Sequence, residues 1–198
     1  MAGAEAIELT DRFAMGDVED SLDRRRERRL IARARSGSES ALEEIFRAHW
    51  PRAYRAAFLI VLDRQIAEDV AQEAFLSAVR SLERFDMTRP FGPWLHRIVA
   101  NRAIDHARAR AIRAEVSEAS GTEQAAPESA RAVERFSEEL HDAVLGLELE
   151  QRTCVVLRYV LDWSPGEIAR FLGLPRGTVN SRLRRGLDRL AGAVEVER

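Results

Sequence analysis

Strand signals are nearly absent from this sequence: the alternating runs rich in Val, Ile and Thr that mark half-buried β-strands are missing. Apolar residues recur at helical spacing instead. After Asp63, the residues Ile66, Val70, Ala74, Ala78 and Leu82 repeat at every fourth position, which puts them on one face of a helix. Ala, Leu, Arg and Glu dominate the 198 residues, and all four are strong helix formers. The chain is therefore predicted to be all-α.

Breaks in that pattern divide it. Ser36-Gly37-Ser38 reads as a turn, with Ser38 or Ser40 capping a helix that starts near Ala41, and Asp63 opens the next long helix. In "RFDMTRPFGP", Pro90, Gly92 and Pro93 are expected to forbid regular helix, so a third long helix is placed from Trp94 to Arg113. "EVSEASGTEQAAPES", Glu115 to Ser129, is small, polar and acidic, as linkers are. The predicted order is an acidic arm over 1–27, a helical domain over 28–113, a flexible acidic linker over 114–133 and a second helical domain over 134–198. Fully extended at ~3.3 Å per residue, about 20 linker residues would reach ~65 Å, the length of about 19 base pairs.

The net charge of −2 hides strong segregation. Seven acidic residues face only Arg12 between Met1 and Asp23, and eight face Arg131 and Arg135 between Gly121 and Glu150. By contrast, four arginines face Asp105 between Asn101 and Arg113, and five face Asp188 between Arg176 and Leu190. Two separated basic patches suggest two contacts with one polyanion. Every basic residue is arginine, which suits bidentate phosphate contacts. The single cysteine, Cys154, excludes an internal disulfide, no basic start with an apolar core marks a signal peptide, and no apolar run approaches the ~20 residues of a membrane span. A cytoplasmic protein without membrane insertion is expected.

The second domain carries the clearest local grammar. In "SPGEIARFLG", Ser164 reads as N-cap, Pro165 as first helical residue, Glu167 as the reciprocal capping-box member and Gly173 as the left-handed terminator. A short turn leads into "LPRGTVNSRLRRGLDRL", where Val179, Leu183, Leu187 and Leu190 share one stripe while Ser181, Arg184, Arg185 and Asp188 point away from it. A capped helix, a Gly-containing turn and a basic amphipathic helix make a helix-turn-helix. The competing reading of this stretch alone is a hairpin whose basic face is simply solvated.

Together, "LRYVLDWSPGEIARFLGLPRGTVNSRLRRGLDRL", "ALEEIFRAHWPRAYRAAFLI", "DRQIAEDVAQEAFLSAVRSLERFD" and "FGPWLHRIVANRAIDHARAR" resemble bacterial sigma factors of the sigma-70 family, in particular the short extracytoplasmic-function (ECF) type. The resemblance spans residues 28–113 (region 2) and 140–190 (region 4), in that order. It implies a transcription initiation factor that binds core RNA polymerase, reads the −35 and −10 elements of promoter DNA and helps melt the latter. Residues Glu68, Asp69, Gln72 and Glu73 would face the polymerase. Phe85, Asp86, Met87, Arg89 and Phe91 in the loop, with Arg97, Asn101 and Arg102 after it, would hold unpaired −10 bases and their phosphates. Trp94 is read as a structural residue, while Arg108 and Arg110 join the phosphate contacts. Arg176, Thr178, Asn180, Ser181, Arg184 and Arg185 would read or clamp the −35 element. Asn180 departs from the basic residue many relatives carry after "GTV", so their −35 preference does not transfer. Family habit implies an anti-sigma factor as a further partner.

Other classes fit less of the chain. His49, His96, His106 and His141 are scattered without ligand spacing, and no Gly-rich phosphate loop or GxSxG elbow occurs, so neither enzyme nor cofactor is expected. A helix-turn-helix regulator acting without core polymerase explains residues 157–190 but leaves "AEDVAQEAFL" and the aromatic loop without a role. An adaptor that only sequesters partners would have no promoter specificity at all.

Overall fold

The computed structural model describes residues 24–119 and 143–196, with side chains from 24 to 114 and from 143 to 192. Besides a helical stretch at 143–145, seven α-helices follow one another among them: α1 Arg24–Arg35, α2 Glu39–Val61, α3 Arg64–Arg80, α4 Phe91–Ala119, α5 Leu149–Tyr159, α6 Pro165–Leu172 and α7 Arg176–Val196. No strand occurs among the described residues. A 3-10 turn, Leu82–Arg84, links α3 to the loop before α4.

Local chemistry sets most of the boundaries. Ser38 caps α2 by accepting from the Ala41 amide, Asp63 caps α3 through the Ile66 amide, and Ser164 and Glu167 form a reciprocal capping box on α6. Gly173 ends α6 at φ 66, a left-handed conformation that costs glycine nothing. Three boundaries differ from expectation. Helix α1 begins at Arg24, inside the segment read as an arm, and its Glu27 is buried. Helix α4 starts at Phe91 and includes both Gly92 and Pro93. Amide hydrogens of a first turn have no intrahelical acceptor, so a proline there breaks nothing. The same helix continues to Ala119 and absorbs the first six positions of the linker reading. The acidic stretch over 1–23 and the remaining linker positions lie outside the described residues.

The first domain is built around α2, whose middle and end (Ala53, Ala56 to Val61) are buried against α1, α3 and α4. The stripe Val70, Ala74, Ala78 and Leu82 is buried as its spacing requires, and Ile66 is half-buried. Leu95, Val99, Ala103 and Ile104 complete this core from α4. In the second domain, Val155, Val156 and Leu157 of α5 pack with Ile168 of α6 and Val179, Leu183 and Leu190 of α7. Cys154 is buried there too, which pushes its thiol up to about 11 and leaves it unreactive.

The domains also touch. Arg52 of α2 donates to the Val160 carbonyl at 2.7 Å and pairs with Asp162. Arg152 of α5 donates to the Ile60 carbonyl at 3.0 Å and to Leu147 at 3.2 Å. Burial lowers the Arg152 guanidinium to about 10, which leaves it charged at neutral pH.

His96 gives the first domain a pH dependence. It is 4% exposed, its Nε2 lacks a hydrogen-bond partner, and burial, then Arg52 and His49, depress its pKa from 6.5 to about 3. The unfolded chain binds this proton below pH 6.5 and the folded chain does not, so stability falls as pH falls. We expect a loss of up to about 1.4 kcal/mol per pH unit from ~6.5 down to ~4.5, where carboxylates begin to contribute. Chemical denaturation at stepped pH should give that slope, and His96→Leu should flatten it.

Candidate nucleic-acid and polymerase surfaces

The face of α3 opposite its buried stripe carries Glu68, Asp69, Gln72 and Glu73, all exposed. Glu68 accepts from Gln72 at 3.2 Å, and Glu73 pairs with Arg102 of α4 at 2.7 Å. The structure therefore joins a residue expected to meet the polymerase to one expected to meet DNA. Leu76 and Val79 extend this face, at 54% and 43% exposure, and Phe46 of α2 lies near them at 39%. With Leu42, Ile45 and Phe75 they line an apolar groove whose edge carries Glu43 and Gln72. Sequence reasoning missed this groove, although the signal was present: Leu76 stands three, four and seven positions after Glu73, Gln72 and Asp69, on one helical face.

The loop between α3 and α4 divides its residues between support and surface. Phe85 and Phe91, expected to hold bases, are buried. Phe85 packs against Phe91 and Trp94 with ring centroids 5.6 and 4.8 Å away, and His49 lies 5.3 Å from Phe91. These aromatics seal the loop to the core, because burying that much apolar ring outweighs leaving it wet, and they are corrected to supports. Glu27 adds to the anchor by accepting from the Phe91 amide at 3.2 Å and facing His49 Nε2 at 3.3 Å. Burial raises the Glu27 carboxyl, yet these partners more than offset it and its pKa ends lowered.

Asp86 and Arg89 remain exposed and Met87 half-exposed. Asp86 shapes the loop by accepting from the Thr88 hydroxyl and amide at 2.7 and 2.9 Å, and those bonds hold its carboxyl below the usual range. Arg89 sits 3.4 Å from the same carboxylate. Further along α4, Asn101 is exposed, as are Arg108 and Arg110, and Arg102 is half-exposed. Arg97 lies with its guanidinium 5.7 Å from the Trp163 ring of the second domain. Trp94 is half-buried among aromatics, as expected for a structural residue.

On α7, Arg176, Asn180, Arg184 and Arg185 are exposed, and Thr178 and Ser181 are half-exposed. Opposite them, Val179, Leu183 and Leu190 are buried. The Ser181 hydroxyl donates to the Thr178 carbonyl at 2.9 Å, so only its remaining oxygen lone pairs are available to a ligand. Among the described residues, no group of three or more His, Cys, Asp or Glu could hold a metal, and no helix is long and apolar enough to cross a membrane.

A capped helix-turn-helix with a guanidinium-rich outer face, carried beside a helical domain with an exposed polar loop, defines a DNA-reading protein of two modules. Comparison with known proteins agrees: the Sigma-70 region 2 family matches residues 45–112 and the Sigma-70, region 4 family matches residues 137–190. The ECF RNA polymerase sigma factor SigW of Bacillus subtilis is 30% identical over 82% of this chain and 94% of its own. RNA polymerase sigma factor CarQ of Myxococcus xanthus is 34% identical over 84% and 98%. Among solved structures, CnrH in complex with the cytosolic domain of CnrY superposes with a TM-score of 0.59 at 26% identity, covering 87% of this chain and 99% of that one. The chain belongs to the ECF sigma factors of the sigma-70 family. It is a promoter-directing RNA polymerase sigma factor, and members of this family are initiation factors rather than enzymes.

Proposed function

We propose that the two domains divide promoter recognition as follows. The α3 face of Glu68, Asp69, Gln72 and Glu73, extended by Leu76 and Val79, docks on core RNA polymerase. Its carboxylates set register and on-rate, and its apolar residues supply affinity. The exposed loop residues Asp86 and Arg89 and the half-exposed Met87, with Arg97, Asn101 and Arg102 of α4, hold an unpaired −10 strand outside the stack. Capturing bases in this way favours the melted promoter. Arg97 reaches that strand only after leaving the Trp163 ring, so strand capture requires the second domain to move off it.

Helix α7 enters the major groove at the −35 element, with Asn180, Ser181, Arg184 and Arg185 toward bases or phosphates and Arg176 and Thr178 clamping the backbone. The chain supplies no catalysis, which belongs to the polymerase, and it acts in the cytoplasm, where polymerase and promoters are. An anti-sigma factor is the remaining partner, a reading supported by the bound forms in which structural relatives are found. A regulator working without polymerase leaves the match over residues 45–112 unexplained.

One observation carries the DNA reading most directly. Arg184 and Arg185 of α7 are exposed on the side opposite its buried stripe, with Arg176 and Asn180 exposed beside them, in the second helix of the motif. Arg185→Ala is expected to cost about 1–3 kcal/mol of −35 recognition with polymerase affinity unchanged. Promoter selection from a genomic library with reconstituted holoenzyme, alongside core-binding titrations, tests this. Equal loss of both activities would overturn the division of labour.

A further inference from the structure

Helix α1 carries seven arginines and one glutamate in twelve residues, and promoter recognition as described uses none of them. Its inward side is spoken for. Leu30, Ile31 and Ala34 are buried, Glu27 accepts from the Phe91 amide, and Arg35 donates to the carbonyls of Leu82, at 2.8 Å, and Phe85. Those bonds fasten α1 to both ends of the 85–91 loop, so its outer side flanks the strand-capturing residues. Arg28 already reaches across the loop, donating to the Thr88 carbonyl at 3.4 Å and helping to lower the Asp86 carboxyl.

The outward cations are thinly neutralised. Arg26 meets the Glu44 carboxylate at 3.1 Å. Among the described residues, the hydrogen bonds of Arg29 and Arg33 go instead to neutral oxygens: the Arg25 carbonyl at 3.4 Å and the hydroxyls of Ser38 and Ser40 at 3.5 and 3.1 Å. A guanidinium bonded to an anionic oxygen also gains the attraction of opposite charges, which a neutral acceptor does not supply. Three exposed cations on one face, on a helix rigidly tied to a single-strand reader, therefore present a site that a row of phosphates would satisfy.

We propose that the α1 face of Arg28, Arg29 and Arg33 is a further DNA contact. It grips backbone phosphates of the strand whose bases enter the 85–91 loop, and it does so without reading sequence. This rests on the assignment of that loop to the unpaired −10 strand, because the loop is what brings the strand to α1. The grip is electrostatic, so it acts through counterion release.

The test uses the full chain with Arg28, Arg29 and Arg33 all changed to glutamine, and a companion with all three changed to lysine. Binding of a fluorescent single-stranded oligonucleotide of random sequence is measured across a range of NaCl concentrations, together with binding of core polymerase. Each lost phosphate contact removes about 0.7 from the slope of log K against log salt on a single strand. The glutamine variant should flatten that slope by about 2, a hundredfold change over a tenfold range of salt, and the lysine variant should retain it. An unchanged slope in the glutamine variant overturns the proposal. So does a fall in polymerase affinity with the slope intact, which would make α1 a protein-binding face. If the unmodified chain captures no single strand at any salt, either alone or bound to core polymerase, the loop assignment fails and the α1 contact fails with it.

Discussion

Gly186→Leu is expected to abolish −35 recognition while leaving single-strand capture by the first domain in place. Gly186 lies where α7 crosses α5, and a Cβ there would meet Val155 Cγ2 at 2.9 Å and Gln151 Cβ at 3.7 Å. Val155 is 1% exposed, so it has no solvent side to move into. An alanine would gain about 0.5–1 kcal/mol of helix propensity, but its Cβ would press on a buried, β-branched valine with nowhere to go, so Gly186→Ala should already destabilise the domain, less than leucine does. Leucine adds three more carbons to a filled interface, and overpacking of that kind costs about 1–3 kcal/mol or more. A unit of some 50 residues holds only about 2.5–7.5 kcal/mol of stability at ~0.05–0.15 kcal/mol per residue, so the larger side chain can unfold it. Denaturation followed at Trp163, together with duplex binding, tests this. Val155→Ala should restore the leucine variant in part, and a leucine variant that binds duplex normally would refute the close-approach argument.

Leu76→Asp is expected to weaken binding to core polymerase about a hundredfold with little change in melting temperature. Scattered exposed apolar residues are ordinary on a protein surface, but Leu76, Val79 and Phe46 line one groove with Phe75 and Leu42, and its edge is polar. An apolar centre with a polar rim is the anatomy of a docking site. Truncating a central anchor in such a site costs about 2 kcal/mol or more, and an aspartate adds the penalty of a charge without a partner. Leu76 is 54% exposed, so the free protein should change by no more than about 0.5 kcal/mol. Unaltered affinity in a titration with core enzyme would remove the groove from the interface. Glu73→Arg is a poorer probe of the same surface, because it would set two guanidinium groups against each other at Arg102 and disturb the DNA side as well.

The parts of this molecule that were legible in its sequence are those set by near neighbours. Ser38, Asp63, Ser164 with Glu167, and Gly173 act within one turn, and each does in the structure what its spacing implied. The buried stripe of α3 follows from a four-residue repeat in the same way. Long-range partners leave no such trace. Nothing near Arg52 indicates that it bonds Val160, 108 positions away, or that Arg152 reaches Ile60, 92 positions back. Proline misled at Pro93, where the first turn of a helix tolerates it. Aromatic residues in the 85–91 loop misled because composition does not say which side of a loop faces the core, and Phe85 and Phe91 face inward. The polar face of α3 was recognised; Leu76 continues it at legible helical spacing, but the groove they border was not legible, because Phe46 joins it only through folding.

The ion pair between Glu73 and Arg102 has a thermodynamic meaning of its own. Whatever draws the carboxylate away releases the guanidinium, and whatever takes the guanidinium releases the carboxylate. Loading onto one ligand and loading onto the other are therefore cooperative, by the same factor in both directions. With side chains 38% and 63% exposed, water already weakens the pair to at most about 1 kcal/mol. The coupling factor is thus capped near five, enough to favour joint occupancy without making either ligand a prerequisite for the other.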